Sequence, residues 1–159
     1  MGALVATLAF PVPPKEWGSQ HLRARNDLMF LNTARQDKIA AVHIKRGAER
    51  TILYSHGNAE DLGQILPYLD KMSEACLADV LAYDYSGYGI SEGTPSEENC
   101  YMCIDAAYGY LRQHVSPSRI IAFGRSIGSG PTVDLVSRHP EISGMVLQSP
   151  LESGGRAVL

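Results

Sequence analysis

Gly124-Arg125-Ser126-Ile127-Gly128 fits the pattern G-x-S-x-G and stands between an apolar run, Ile120 to Phe123, and a stretch of helical spacing from about Ile127 to His139. A strand that turns sharply into a helix needs glycines around the turn, and such a turn lifts the central side chain above the sheet edge. The chemistry offered is nucleophilic: a serine hydroxyl held at a helix N-terminus, where the helix dipole favours a developing negative charge. A glycine-rich strand-to-helix turn without a chemical task would read the same way. A phosphate cradle is the other rival, but G-x-G-x-x-G and the lysine-bearing P-loop are both absent.

His56-Gly57-Asn58-Ala59 follows a second apolar run, Thr51 to Ser55, at the place where acyl transfer needs a backbone donor. The N–H groups of Asn58 and Ile127 could together hold the oxyanion of a tetrahedral intermediate, each worth roughly 3 kcal/mol. His56 is expected to fix the loop by hydrogen bonding rather than to act as a base. Asp84, Tyr85 and Tyr88 fall at the C-terminal edge of the sheet, where α/β proteins bind ligands, and with His56 and Arg125 they are the residues expected to line the site. Cys100-x-x-Cys103 lies inside a helix rather than at its N-terminus and lacks further ligands at metal spacing. No metal and no cofactor is expected.

The elements that must position these groups alternate along the chain. Leu28 to Asn32 and Ile39 to Ile44 are β-prone runs about a turn at Thr33, Ala34, Arg35, Gln36 and Asp37, and predict a hairpin. Thr51 to Ser55, the helically spaced Leu62, Ile65, Leu66, Leu69, Met72 and Cys76, and Val80 to Tyr83 predict strand, helix, strand. Thr94-Pro95-Ser96-Glu97 predicts a second helix capped by Thr94 with Pro95 at its first position. Ile120 to Phe123, the helix after Ser126 and Met145 to Leu147 complete the series. Repeated βα units with continuously apolar strands imply an α/β fold with a mostly parallel sheet behind an N-terminal hairpin.

Composition agrees with one globular domain: 159 residues, 45% hydrophobic and 19% charged, with a net charge of −3. A chain of this size buries roughly 70% of its unfolded surface. The charge offers no basic field to nucleic acid, and no nucleic-acid partner is expected. Three cysteines, Cys76, Cys100 and Cys103, suit a reducing compartment, so a cytoplasmic location is expected. Met1 to Phe10 is apolar, ends in Pro11-Val12-Pro13-Pro14, and has neither the basic start of a signal peptide nor the length of a membrane span. With Lys15, Arg23 and Arg25 close by, this lead (residues 1–27) suits peripheral association with a membrane.

Four ordered segments carry a family resemblance: Ser55-His56-Gly57-Asn58-Ala59-Glu60-Asp61-Leu62-Gly63, Tyr83-Asp84-Tyr85-Ser86-Gly87-Tyr88-Gly89, Gly124-Arg125-Ser126-Ile127-Gly128 and Ser149-Pro150-Leu151-Glu152-Ser153-Gly154. Over about residues 28 to 159 the chain resembles the α/β-hydrolase superfamily, and within it the alpha/beta-hydrolase-domain-containing protein 17 group of depalmitoylases. The resemblance implies a serine hydrolase acting on an acylated protein or a lipid ester at membranes, with Ser126 as nucleophile and the Asn58 loop as oxyanion site. It departs in two places: Arg125 stands where the group usually has Gln, and the group's N-terminal cysteine cluster has no counterpart before Cys76.

Superfamily order is Ser, then Asp or Glu, then His. Beyond Ser126 this chain offers only Asp134, Glu141, Glu152 and His139. At 1.5 Å per helical residue, Asp134 and His139 lie about 12 and 20 Å along an axis leading away from Ser126. The expectation is the N-terminal part of a hydrolase domain (residues 28–159), truncated after the strand that follows the nucleophile helix, without the triad Asp and His and inactive alone. A non-catalytic truncated product or binding module, and a peptidase-like member of the superfamily, stay open as alternatives.

Overall fold

The computed structural model describes residues 10–14 and 19–152. Residues 1–9, Lys15, and Ser153-Gly154 of the fourth motif therefore lie outside the described residues. Six strands form one sheet: β1 (Leu28–Asn32), β2 (Lys38–Ile44), β3 (Thr51–Ser55), β4 (Asp79–Tyr83), β5 (Ile120–Arg125) and β6 (Gly144–Gln148), in the spatial order β1-β2-β4-β3-β5-β6. β2 pairs antiparallel with both β1 and β4, and β4, β3, β5 and β6 run parallel to one another. This is the expected hairpin leading into a mostly parallel sheet. The hairpin turn closes through Thr33 N–H to Asp37 O at 3.0 Å and Gln36 N–H to Thr33 O at 2.9 Å.

Among the described residues four helices flank the sheet: α1 (Ser19–Arg23), α2 (Leu62–Cys76), α3 (Glu97–Leu111) and α4 (Ser129–Arg138). The alternation of side chains along each strand divides the core into two layers. Ile52, Tyr54, Val80 and Ala82 meet α2 residues Leu62, Ile65, Leu66 and Leu69 on one face, together with Leu22 of α1. Leu53, Leu81, Ile120 and Ala122 meet Cys103, Ile104, Ala107 and Leu111 of α3 and Leu135 of α4 on the other. α1 arises within the lead, where no helical period is visible. It is anchored by the buried Leu22 and by Arg25, just beyond its end, which pairs with Asp27 at 2.7 Å and Asp70 at 3.0 Å.

Both long helices start on side-chain caps. Asp61 accepts the N–H of Gln64 at 3.0 Å ahead of α2. The cap of α3 differs from expectation, because Ser96 rather than Thr94 accepts the N–H of Asn99, at 3.1 Å. Thr94 instead offers its carbonyl to the Asn99 side-chain amide at 2.7 Å. Starting at Glu97 puts two carboxylates, Glu97 and Glu98, into the first turn, where the helix dipole stabilises them. Pro95 is then a residue of the approach, not of the helix.

Candidate active site

β3, β4 and β5 end side by side, and the loops that leave their C-terminal ends meet above the sheet. The chain passes from β5 into a single 3-10 turn, Ser126–Gly128, and then into α4. Ser126 sits at φ +50°, a left-handed conformation that costs a non-glycine residue about 1–3 kcal/mol. Two close approaches hold it there. A Cβ on Gly128 would lie 2.3 Å from the Ser55 carbonyl oxygen and 2.8 Å from that of His56. One on Gly124 would lie 2.7 Å from the Gly128 oxygen and 2.7 Å from Thr132 Oγ1. Both glycines of the pentapeptide are thus required by backbone packing. Ser129 adds a tie: its hydroxyl donates to the Ser126 carbonyl at 2.6 Å and accepts the N–H of Leu151 at 3.1 Å, drawing the loop after β6 against the turn.

The loop after β3 comes up beside Ser126, whose Cβ is 3.8 Å from the position a Cβ on Gly57 would take. Its conformation is fixed from several sides. His56 Nδ1 and the Gly57 carbonyl oxygen are 2.8 Å apart. In a trans peptide the N–H points opposite the carbonyl, so this contact also orients the N–H of Asn58. The Asn58 side-chain oxygen accepts from Tyr88 OH at 2.8 Å and from Ala59 N–H at 3.1 Å. The Gly57 N–H donates to Glu60 Oε2 at 2.9 Å.

His56, Asp84, Tyr85 and Tyr88, expected along the wall of the site, form the bed beneath this loop instead. All four are at most 1% exposed. His56 Nε2 lies 3.2 Å from Asp84 Oδ1, which also accepts the N–H of Leu62 at 2.9 Å. The rings of Tyr85 and Tyr88 pack 4.4 and 5.6 Å from the imidazole, and Tyr85 OH donates to the His56 carbonyl at 2.7 Å. Below them, burial pushes the Asp61 carboxyl above the usual carboxylate range. His56 is thus fully buried, with Nδ1 on the carbonyl of the loop it supports and Nε2 turned to Asp84.

Arg125, half-exposed, forms an ion pair with Glu60 across the two loops. Glu60 was legible only as a member of the motif, without a role, because nothing in local spacing connects it to a residue 65 positions away. Ile127 turns its side chain into the core layer under α3 and α4. Of the groups beyond Ser126, Asp134, Glu141 and His139 are engaged elsewhere. Asp134 pairs with Arg138 at 2.7 Å, and His139 lies 3.1 Å from Glu141 and 4.6 Å from the Tyr108 ring, at the far end of α4. Burial raises both cysteines of α3, Cys100 and Cys103, the latter to about 11, so neither is held as a thiolate. Among the described residues no cluster of three His, Cys, Asp or Glu could hold a metal, and no helix is long and apolar enough to cross a membrane.

The family model described as alpha/beta hydrolase fold matches residues 50–156. Alpha/beta hydrolase domain-containing protein 17C of Mus musculus is 44% identical over 134 residues, which is 82% of this chain and 42% of that protein. Protein 17B of Xenopus laevis is 43% identical over 134 residues, 82% of this chain and 46% of its own length. The chain thus spans less than half the length of these relatives. Among solved structures, an esterase of Pyrococcus furiosus superposes with a TM-score of 0.70 at 21% identity, over 87% of this chain and 58% of that one. An α/β hydrolase of Vibrio vulnificus gives 0.69 at 22%, over 87% and 51%. At these identities the structures establish the shared fold.

Proposed function

This chain belongs to the α/β-hydrolase family, and from that premise we propose that it supplies the nucleophile and the oxyanion donors of a serine hydrolase for acyl thioesters or esters. The observation that carries the reading is Ser126 in the left-handed conformation at the β5–α4 turn, with the Gly57–Asn58 loop beside it. Attack by the Ser126 hydroxyl on an acyl carbonyl forms a tetrahedral oxyanion. The N–H groups of Ile127 and Asn58 receive that charge. Expulsion of the thiolate or alkoxide leaves an acyl-serine, which water then hydrolyses.

A serine hydroxyl is a weak nucleophile without an adjacent base. His56 is locked under the loop, and His139 stands at the far end of α4. The base and its orienting carboxylate are therefore proposed to come from outside these 159 residues. The likeness to protein 17C supports a palmitoylated protein as the substrate class over a peptide or a small ester. In a longer protein that contains this chain, Ser126→Ala is expected to abolish release of palmitate from a palmitoyl-peptide thioester while leaving the thermal midpoint within a few degrees. Retained turnover would remove Ser126 from its role.

A further inference from the structure

Glu60 belongs to the loop after β3 and Arg125 to the end of β5, yet one carboxylate joins them. Its Oε2 accepts the Gly57 N–H at 2.9 Å and its Oε1 pairs with Arg125 Nη1. Gly57 immediately precedes Asn58, and Arg125 immediately precedes Ser126. The pair is partly exposed, with side chains 42% and 20% accessible, so its contribution to global stability is small. Its placement is what matters: the two residues it joins stand next to the nucleophile and next to an oxyanion donor.

We propose that Glu60, held by Arg125, is a positioning residue that locks the oxyanion loop to the nucleophile turn. The inference rests on the serine-hydrolase reading and adds to it. An oxyanion donor acts within a narrow range, about 2.7–3.1 Å from the developing charge. His56 orients the Gly57–Asn58 peptide plane through the Gly57 carbonyl, and Glu60 holds the preceding plane through the Gly57 N–H. With two successive planes fixed, the Asn58 N–H has one direction. Arg125 sets the distance of that assembly from Ser126, because it pulls on the same carboxylate from the other loop.

Amide hydrogen exchange on the 159-residue chain, read residue by residue, tests the clamp directly. Glu60→Ala is expected to speed exchange at Gly57 at least tenfold, and Arg125→Ala about threefold or more. Glu60→Gln keeps one acceptor for the Gly57 N–H but turns an NH2 group toward Arg125, so it should resemble Arg125→Ala rather than Glu60→Ala. The double variant should exchange no faster than Glu60→Ala alone, since both act through one group. Amides of Leu53 and Leu81 in the sheet centre serve as the folding control and should not change. In a longer protein that contains this chain, the rate of Ser126 phosphonylation by a fluorophosphonate should fall in the same order. Unchanged exchange at Gly57 in Glu60→Ala, or effects that add in the double variant, would overturn the clamp. Exchange that follows the expected order while the phosphonate never attaches to Ser126 of that longer protein would instead overturn the serine-hydrolase reading, and with it the catalytic purpose of the clamp.

Discussion

β3 and β6 are both parallel strands of five residues, but they live in different surroundings. β3 has a partner on each side and a helical layer on each face, and all five of its residues are buried. Among the described residues β6 pairs with β5 alone, and its Met145 and Val146 are 41% and 44% exposed. β5 is intermediate, buried on the face under α3 and α4 and half-open on the other. The turn at Ser126 grows from this less covered half, whereas the Gly57–Asn58 loop grows from the closed half. The turn nevertheless has a fixed shape, because Gly128 packs its backbone against the carbonyls of Ser55 and His56. Rigidity is borrowed across the sheet.

The largest effect that would sharpen this contrast is on glycine. Gly128→Ala is expected to cost at least about 4 kcal/mol, since the new Cβ meets backbone that cannot give way. Gly144→Ala in β6, where nothing lies within 4 Å of the new Cβ, should stay within about 0.5 kcal/mol in the same urea titrations. Equal losses would erase the distinction. Next comes side-chain truncation: Leu53→Ala should cost about 3 kcal/mol and Val146→Ala less than about 1 kcal/mol. Because an apolar edge strand without Lys or Pro invites pairing with another chain, Val146→Lys should also slow light-scattering growth on warming.

Acid should weaken the closed half through His43 of β2. Its ring is 3% exposed beside Tyr110, and burial lowers its pKa from 6.5 to about 4. The unfolded chain takes up the proton at the ordinary value, so stability falls as pH drops from about 6.5 towards 4 and levels off below. The loss amounts to about 3 kcal/mol at most. A His43→Leu variant should lose that slope in pH-dependent unfolding. The smallest effect is at the turn itself. Ser126→Gly should raise stability by about 1 kcal/mol by relieving the left-handed serine, with no phosphonylation remaining.

Much of this was legible from periodicity and punctuation. The bounds of β3 and of the α2 run from Leu62 to Cys76 follow from apolar spacing, and Gly124 and Gly128 announce the turn. What spacing could not show depended on pairs brought together by the fold. α1 is too short to display a period and exists because Leu22 finds the core and Arg25 finds Asp70. Thr94 and Ser96 compete for one cap, and only the placement of Asn99 decides between them. His56, Tyr85 and Tyr88 belong to motifs that read as a site wall, yet the packing of their rings against one another puts them underneath.

In the proposed reading Ser126 stands in a prepared turn and its base comes from outside these 159 residues. Phosphonylation by a fluorophosphonate, with the second-order rate constant measured and the adduct located by peptide mass spectrometry, addresses both halves at once. The expected result is an adduct at Ser126 alone, formed at least a hundredfold more slowly than in a serine hydrolase with a complete triad. Fast labelling, or an adduct on any other residue, would contradict it.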